Sequence, residues 1–109
     1  PSTTFLLTML LKTLIMISMW QVEISKKADK KRKKLNRIIQ EQLYLLIEEM
    51  ELNGPIRGNW PNFSQHGKNL YHCHLKKGRP TYIACWIVIN KKMKLIEVNY
   101  VGTHEKAPY

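Results

Sequence analysis

Leu70-Tyr71-His72-Cys73-His74-Leu75, Lys76-Lys77-Gly78-Arg79-Pro80 and Thr81-Tyr82-Ile83-Ala84-Cys85-Trp86-Ile87-Val88-Ile89 form one continuous stretch, and its reading decides the fold. Two runs rich in apolar, β-branched and aromatic residues flank a short connection that holds Gly and Pro, which is the pattern of strand, turn and strand. A third such run, Lys94 to Val101, follows after Asn90-Lys91-Lys92. Connections this short leave no room for a crossover helix, so neighbouring strands run antiparallel as a meander.

Upstream, Trp20-Gln21-Val22-Glu23-Ile24-Ser25 alternates apolar and polar residues, the period of a half-buried strand. The period then changes. Leu35, Ile38, Ile39, Leu43, Leu46, Ile47 and Met50 recur at spacings of three and four, which places them on one face of an amphipathic helix. Its end is marked at Asn53-Gly54-Pro55, where Gly takes the position after the last turn and Pro forbids continuation. Residues 26–52 therefore read as one long helix or a helix pair bent near Leu35. Residues 53–68, rich in Asn, Gly and Pro, read as a loop that Trp60 and Phe63 pin to the core. The expected fold is α+β: a small, mainly antiparallel sheet of about four strands packed against that helix or helix pair.

A chain of 109 residues supports one core. Its formal net charge of +10 draws polyanions, so nucleic acid, an anionic surface or an acidic protein is the implied partner class. The charge is uneven: Lys26 to Lys34 is almost wholly basic, Glu41 to Glu51 is acidic, and after Gly54 only Glu97 and Glu105 oppose many Lys and Arg. Cys73 and Cys85 are two thiols in strand-like runs and make no disulfide framework, consistent with reduced cysteines. Residues 1–18 form an apolar extension interrupted by Lys12, and residues 19–109 form the domain. The extension lacks the basic start and small-residue cleavage pattern of a secretory signal, and it falls short of the roughly 20 residues of a spanning helix. A packed extension, a membrane anchor and a segment ahead of the working domain all stay open for it, with a membrane not expected as partner.

The element order, the strand Leu70-Tyr71-His72-Cys73-His74-Leu75-Lys76, the hairpin Lys76 to Tyr82 and the Val101-Gly102 turn into a short polar tail together resemble the RelE/ParE superfamily of toxins from type II toxin–antitoxin modules. The resemblance covers residues 19–109. It implies one of two activities: a RelE-like, ribosome-associated endoribonuclease that cuts mRNA and represses translation, or a ParE-like inhibitor of DNA gyrase. It also implies a cognate antitoxin, a cytoplasmic location and no cofactor. A non-catalytic basic module that binds nucleic acid is the third possibility.

RNA cleavage without metal requires the 2′-oxygen deprotonated, the phosphorane charge stabilised and the 5′-oxygen protonated, all within reach of His, Lys, Arg and Tyr. His72 and His74, two apart on a strand, share a face, with Cys73 on the other. The resemblance places them where the family presents basic side chains to the scissile phosphate. They depart from the family pattern there, which has lysines, and an imidazole is the better general base near neutrality. In the tail, His104 and Lys106 match the family's positions for proton transfer or charge stabilisation, and Tyr109 matches an aromatic that stacks on a base, while Glu105 is a candidate to orient His104 or to act as a base itself. Lys68, Lys76, Lys77, Arg79 and Arg57 are expected to bind phosphate. For each of these residues the competing reading is a soluble surface or packed strand residue. The Lys26 to Lys34 run is either a solvated helix start or a rail for ribosomal RNA. Zinc on His72 and His74, with His104 or His66 as third ligand, is the competing chemistry, but neither a CxxC pair nor an HExxH helix accompanies them, so no metal is expected.

Overall fold

The computed structural model describes residues 2–109; of the 1–18 extension, Pro1 and the side chains of Ser2 and of residues 15–18 lie outside the described residues. The elements are α1 (Ser2–Ser18), β1 (Gln21–Ile24), α2 (Lys26–Lys33), α3 (Arg37–Asn53), β2 (Ser64–His66), β3 (Leu70–His74), β4 (Tyr82–Asn90) and β5 (Leu95–Thr103), followed by one 3-10 turn, His104–Lys106. The strands form one sheet in the order β1-β5-β4-β3-β2. β2 to β5 pair antiparallel as a meander, and β1 joins the far edge parallel to β5.

The α+β architecture and the helix pair agree with the sequence. Ser25 caps α2 by accepting from the Ala28 N–H, and Asn36 caps α3 by accepting from the Ile39 N–H. Each side chain satisfies a donor that the first helical turn leaves open, which is why the chain stops and restarts its helix across Lys34 to Asn36. Leu35 sits in that break, partly buried against the core.

Three expectations are corrected. Ser64–His66, inside the stretch read as loop, is a strand paired with β3, which brings the sheet of about four strands to five. A three-residue polar edge strand has no hydrophobic period to reveal it. Its only local sign is Gly67, whose φ of 76° makes the tight return into β3. Next, Gly102 is not a turn: β5 runs on through Gly102, paired with Ile83, to Thr103, paired with Tyr82, so the tail begins at His104. Finally, Ile38 was expected on the buried face of the helix and is 66% exposed, whereas Ile39, Leu43, Leu46 and Met50 are buried. Those four line the stripe that meets the sheet, with Leu35 and Ile47 partly buried against the same core.

The core lies between α2 and α3 and one face of the sheet, and includes Trp86, Ile96, Val98, Val101, Cys73 and Leu75. Trp86 is fully enclosed, donates its indole N–H to the Pro55 carbonyl and stacks with Phe63. Phe63 also stacks on Tyr71, so the long loop is pinned by ring packing. Glu49 completes the pinning by accepting from Asn59 Nδ2 (2.8 Å), Trp60 Nε1 (3.1 Å) and Arg57 Nη1 (3.4 Å). The α1 side chains from Thr3 to Leu14 are exposed, and among the described residues no helix is long and apolar enough to cross a membrane.

Candidate functional site

The face of the sheet turned away from the helices carries the chemistry. Strand alternation sends Tyr71, Cys73 and Leu75 into the core and turns His72 and His74 outward. Their cross-strand partners Cys85 and Ile83 share this face, with Tyr100 beyond Cys85 on β5. Ile83, Cys85 and Tyr100 make a small second apolar cluster on which Ala107 of the tail packs. The tail is held by more than this contact: the Tyr100 hydroxyl donates to the Thr103 carbonyl (2.7 Å), and the His104 N–H donates to the Thr81 carbonyl (3.0 Å). Gly102 is required for the first of these, since a Cβ there would lie 2.8 Å from the Tyr100 hydroxyl oxygen.

So anchored, the tail turns back across the open face and brings four histidines and a tyrosine together. The Tyr109 ring stacks on His66 (centroids 4.3 Å apart) and on His72 (4.4 Å). His66 and His72 lie edge to edge, with ring centroids 4.6 Å apart, and share a hydrogen bond between Nε2 of the first and Nδ1 of the second. His104 meets Tyr109 and His74 edge-on at 6.1 and 5.6 Å. His72 is 6% exposed. Burial, then the neighbouring His66, His74 and His104, push its pKa from 6.5 down to about 4, so it is neutral near pH 7. Burial and His104 also lower the pKa of His74, which favours the neutral, proton-accepting imidazole.

A cleft of about 460 Å³ opens beside this cluster, lined by His74, Arg79, Pro80, Thr81, Thr103, His104 and Glu105. Of the residues that the sequence singled out, His74, His104, Glu105 and Arg79 line it, and His72 and Tyr109 form its stacked flank. His72 is buried under the Tyr109 ring beside His66, whereas His74 is partly exposed and lines the cleft. Lys106 lines a separate cleft with Lys31, Lys34, Tyr82 and Tyr100, so it stands apart from the histidines. Lys76 lies on the α3 side beside Ile38, Gln42 and Leu45, although its Nζ reaches the Arg79 carbonyl at 3.5 Å. Arg57 is corrected as a phosphate ligand: its side chain is 14% exposed and paired with Glu49 inside the loop anchor. Lys77 and Lys68 are exposed in the turns before β4 and β3.

Sequence reading placed His66 only as a possible metal ligand and missed its part in the ring cluster. Its strand had no detectable period, so nothing in the sequence put it beside His72. Among the described residues no group of three or more His, Cys, Asp or Glu side chains is placed to hold a metal ion. What the cleft offers is a neutral imidazole on β3, a second imidazole on the tail and the guanidinium of Arg79 from the hairpin.

An α+β domain with this sheet order, its helix pair on one face and its short C-terminal tail across the other, has a RelE-like fold. Solved structures similar to it are a mutant of the Escherichia coli toxin RelE in the free state (TM-score 0.63, 21% identity, covering 82% of this chain and 87% of that one) and the archaeal RelE–RelB complex from Pyrococcus horikoshii (0.63, 18%, 82% and 99%). A third is the intact E. coli RelBE toxin–antitoxin complex (0.60, 24%, 80% and 99%). No family model and no curated protein matches the sequence.

Proposed function

We propose that this chain is the toxin of a type II toxin–antitoxin module and acts as a metal-independent, ribosome-associated endoribonuclease that cuts mRNA in the cytoplasm. The observation that carries the reading is the convergence of His74, His104 and Arg79 on one cleft of a RelE-like fold, with Tyr109 at its flank. In this mechanism neutral His74 takes the proton from the 2′-hydroxyl, and the resulting oxygen attacks the adjacent phosphorus. Arg79 stabilises the charge gathering on the phosphorane oxygens. Protonated His104 delivers a proton to the departing 5′-oxygen, and the products are a 2′,3′-cyclic phosphate and a 5′-hydroxyl. Glu105 lines the same cleft and orients His104, and Tyr109 stacks on a base beside the scissile bond. Lys68, Lys77 and Lys106 draw the strand in by charge. A cognate antitoxin that neutralises the basic cleft is the proposed protein partner; two of the similar solved structures are complexes of RelE with RelB.

Expression of residues 19–109 with message integrity and translation as readouts tests this. Cleaved message is expected for the wild type, with loss of about 100-fold or more in cleavage for His104→Ala, the scale of a lost general acid. Growth arrest with intact message would move the assignment to gyrase inhibition. No effect on growth or message would leave a binding module.

A further inference from the structure

The ring stack on the open face is more than packing of the tail. His66 on the edge strand β2 and His72 on its neighbour β3 lie side by side, joined by a hydrogen bond, and present their rings to a third ring, that of Tyr109. Tyr109 is 44% exposed and follows Pro108 outside any regular element, so it is the ring of the three free to lift. The two imidazoles are held by strands, and the hydrogen bond between them fixes both orientations. A flat, pre-oriented surface is what an unstacked base binds, because every base has a π-face and histidine stacks on it as other aromatics do.

We propose that His66 and His72 form a nucleobase slot, and that one base of a single-stranded RNA enters between this pair and Tyr109. Tyr109 lies on the pair directly, at the centroid spacing of stacked rings. On binding it lifts by one ring thickness and covers the outer face of the base. The His66–His72 floor is continuous through His74 with the cleft that holds Arg79 and His104, so a base in the slot sets which phosphate reaches them. This inference rests on the proposed RNA substrate and adds the residue that sets register, His66.

The test uses the full chain and short 2′-O-methyl oligoribonucleotides, which cannot be cleaved through their 2′-oxygens, with a single abasic residue moved through successive positions. For the wild type one abasic position weakens binding by about 10-fold or more, the effect of losing one base–aromatic stack. His66→Ala lowers affinity for the intact oligonucleotide to that level and leaves affinity for the oligonucleotide abasic at that position unchanged. His66→Phe, which keeps a ring and removes the hydrogen bond, restores most of the difference. Equal loss for intact and abasic oligonucleotides would overturn the slot while leaving RNA binding standing. No binding of either by the wild type would overturn the RNA reading and the slot together.

Discussion

His72 shows at the scale of one residue how position changes chemistry. A histidine on a sheet face is ordinarily a group that titrates near neutrality, but this one is enclosed by His66, His74 and Tyr109. Its folded-state pKa of about 4 lies below the ordinary 6.5, so between those values the unfolded chain binds the proton more readily. Stability is therefore full above about pH 6.5 and falls as pH drops toward 4, by at most about 3 kcal/mol. Urea unfolding at pH 7 and pH 4.5 should show the drop, and His72→Gln should flatten it. Glu49 adds to the acid sensitivity. Burial raises its pKa, but the donors Asn59, Trp60 and Arg57 together outweigh burial and hold it below 4.5, so its contribution is lost as pH falls below that value. Glu49→Ala should destabilise the fold by about 2–3 kcal/mol, because it leaves the Trp60 indole and Arg57 without their acceptor. The same urea experiment at pH 7 measures it.

At the scale of elements, the helix break and the tail are both set by single residues. Asn36 caps α3 at 3.0 Å, and its replacement by Ala should cost about 1 kcal/mol, read in a thermal or urea melt. Asn36→Ser should recover most of that loss, since a hydroxyl accepts the same N–H. Gly102 is the corresponding point on β5. Gly102→Ala pushes the Tyr100 hydroxyl from the Thr103 carbonyl and so loosens the start of the tail. RNA cleavage should fall by a larger factor than stability does, because the tail carries His104 and Tyr109 while the core lies on the other face of the sheet. Cleavage rate set beside unfolding free energy distinguishes this from simple misfolding.

The whole molecule divides into a packed domain and an apolar helix. Residues 3–14 of α1 are exposed, whereas Trp20 already packs on the core and donates its backbone N–H to the Glu51 carbonyl (2.8 Å). Removal of residues 1–18 should leave the unfolding free energy within about 0.5 kcal/mol of the longer chain, the range of surface changes that break no packing. The exposed Phe5, Leu6, Leu10 and Leu11 should make the longer chain the more prone to self-association, read by light scattering. The charge of +10 acts over the whole surface. Affinity for single-stranded RNA should therefore fall steeply with salt, with a slope of about −0.7 per phosphate neutralised.

Local signals determined much of this protein. The antiparallel meander was legible because strands Leu70–His74, Tyr82–Asn90 and Leu95–Thr103 are long enough to show composition and period, and because their connections are too short for a crossover. The helix α3 was legible in the apolar stripe of Ile39, Leu43, Leu46 and Met50 and in the Asn53-Gly54-Pro55 stop, whereas one long helix and a bent pair stayed open until the Asn36 cap placed the break. The side-by-side placement of His72 and His74 followed from the two-residue repeat of a strand. Tertiary structure alone decided the rest. Ser64–His66 becomes a strand only because β3 offers it an edge, and only that pairing brings His66 to His72. The fold, too, separates Lys106 from His104, two residues away, and withdraws Arg57 into an ion pair with Glu49. Periodicity reports which face of its own element a residue occupies. Which faces meet depends on pairing between segments distant in sequence, and the cleft is made where they meet.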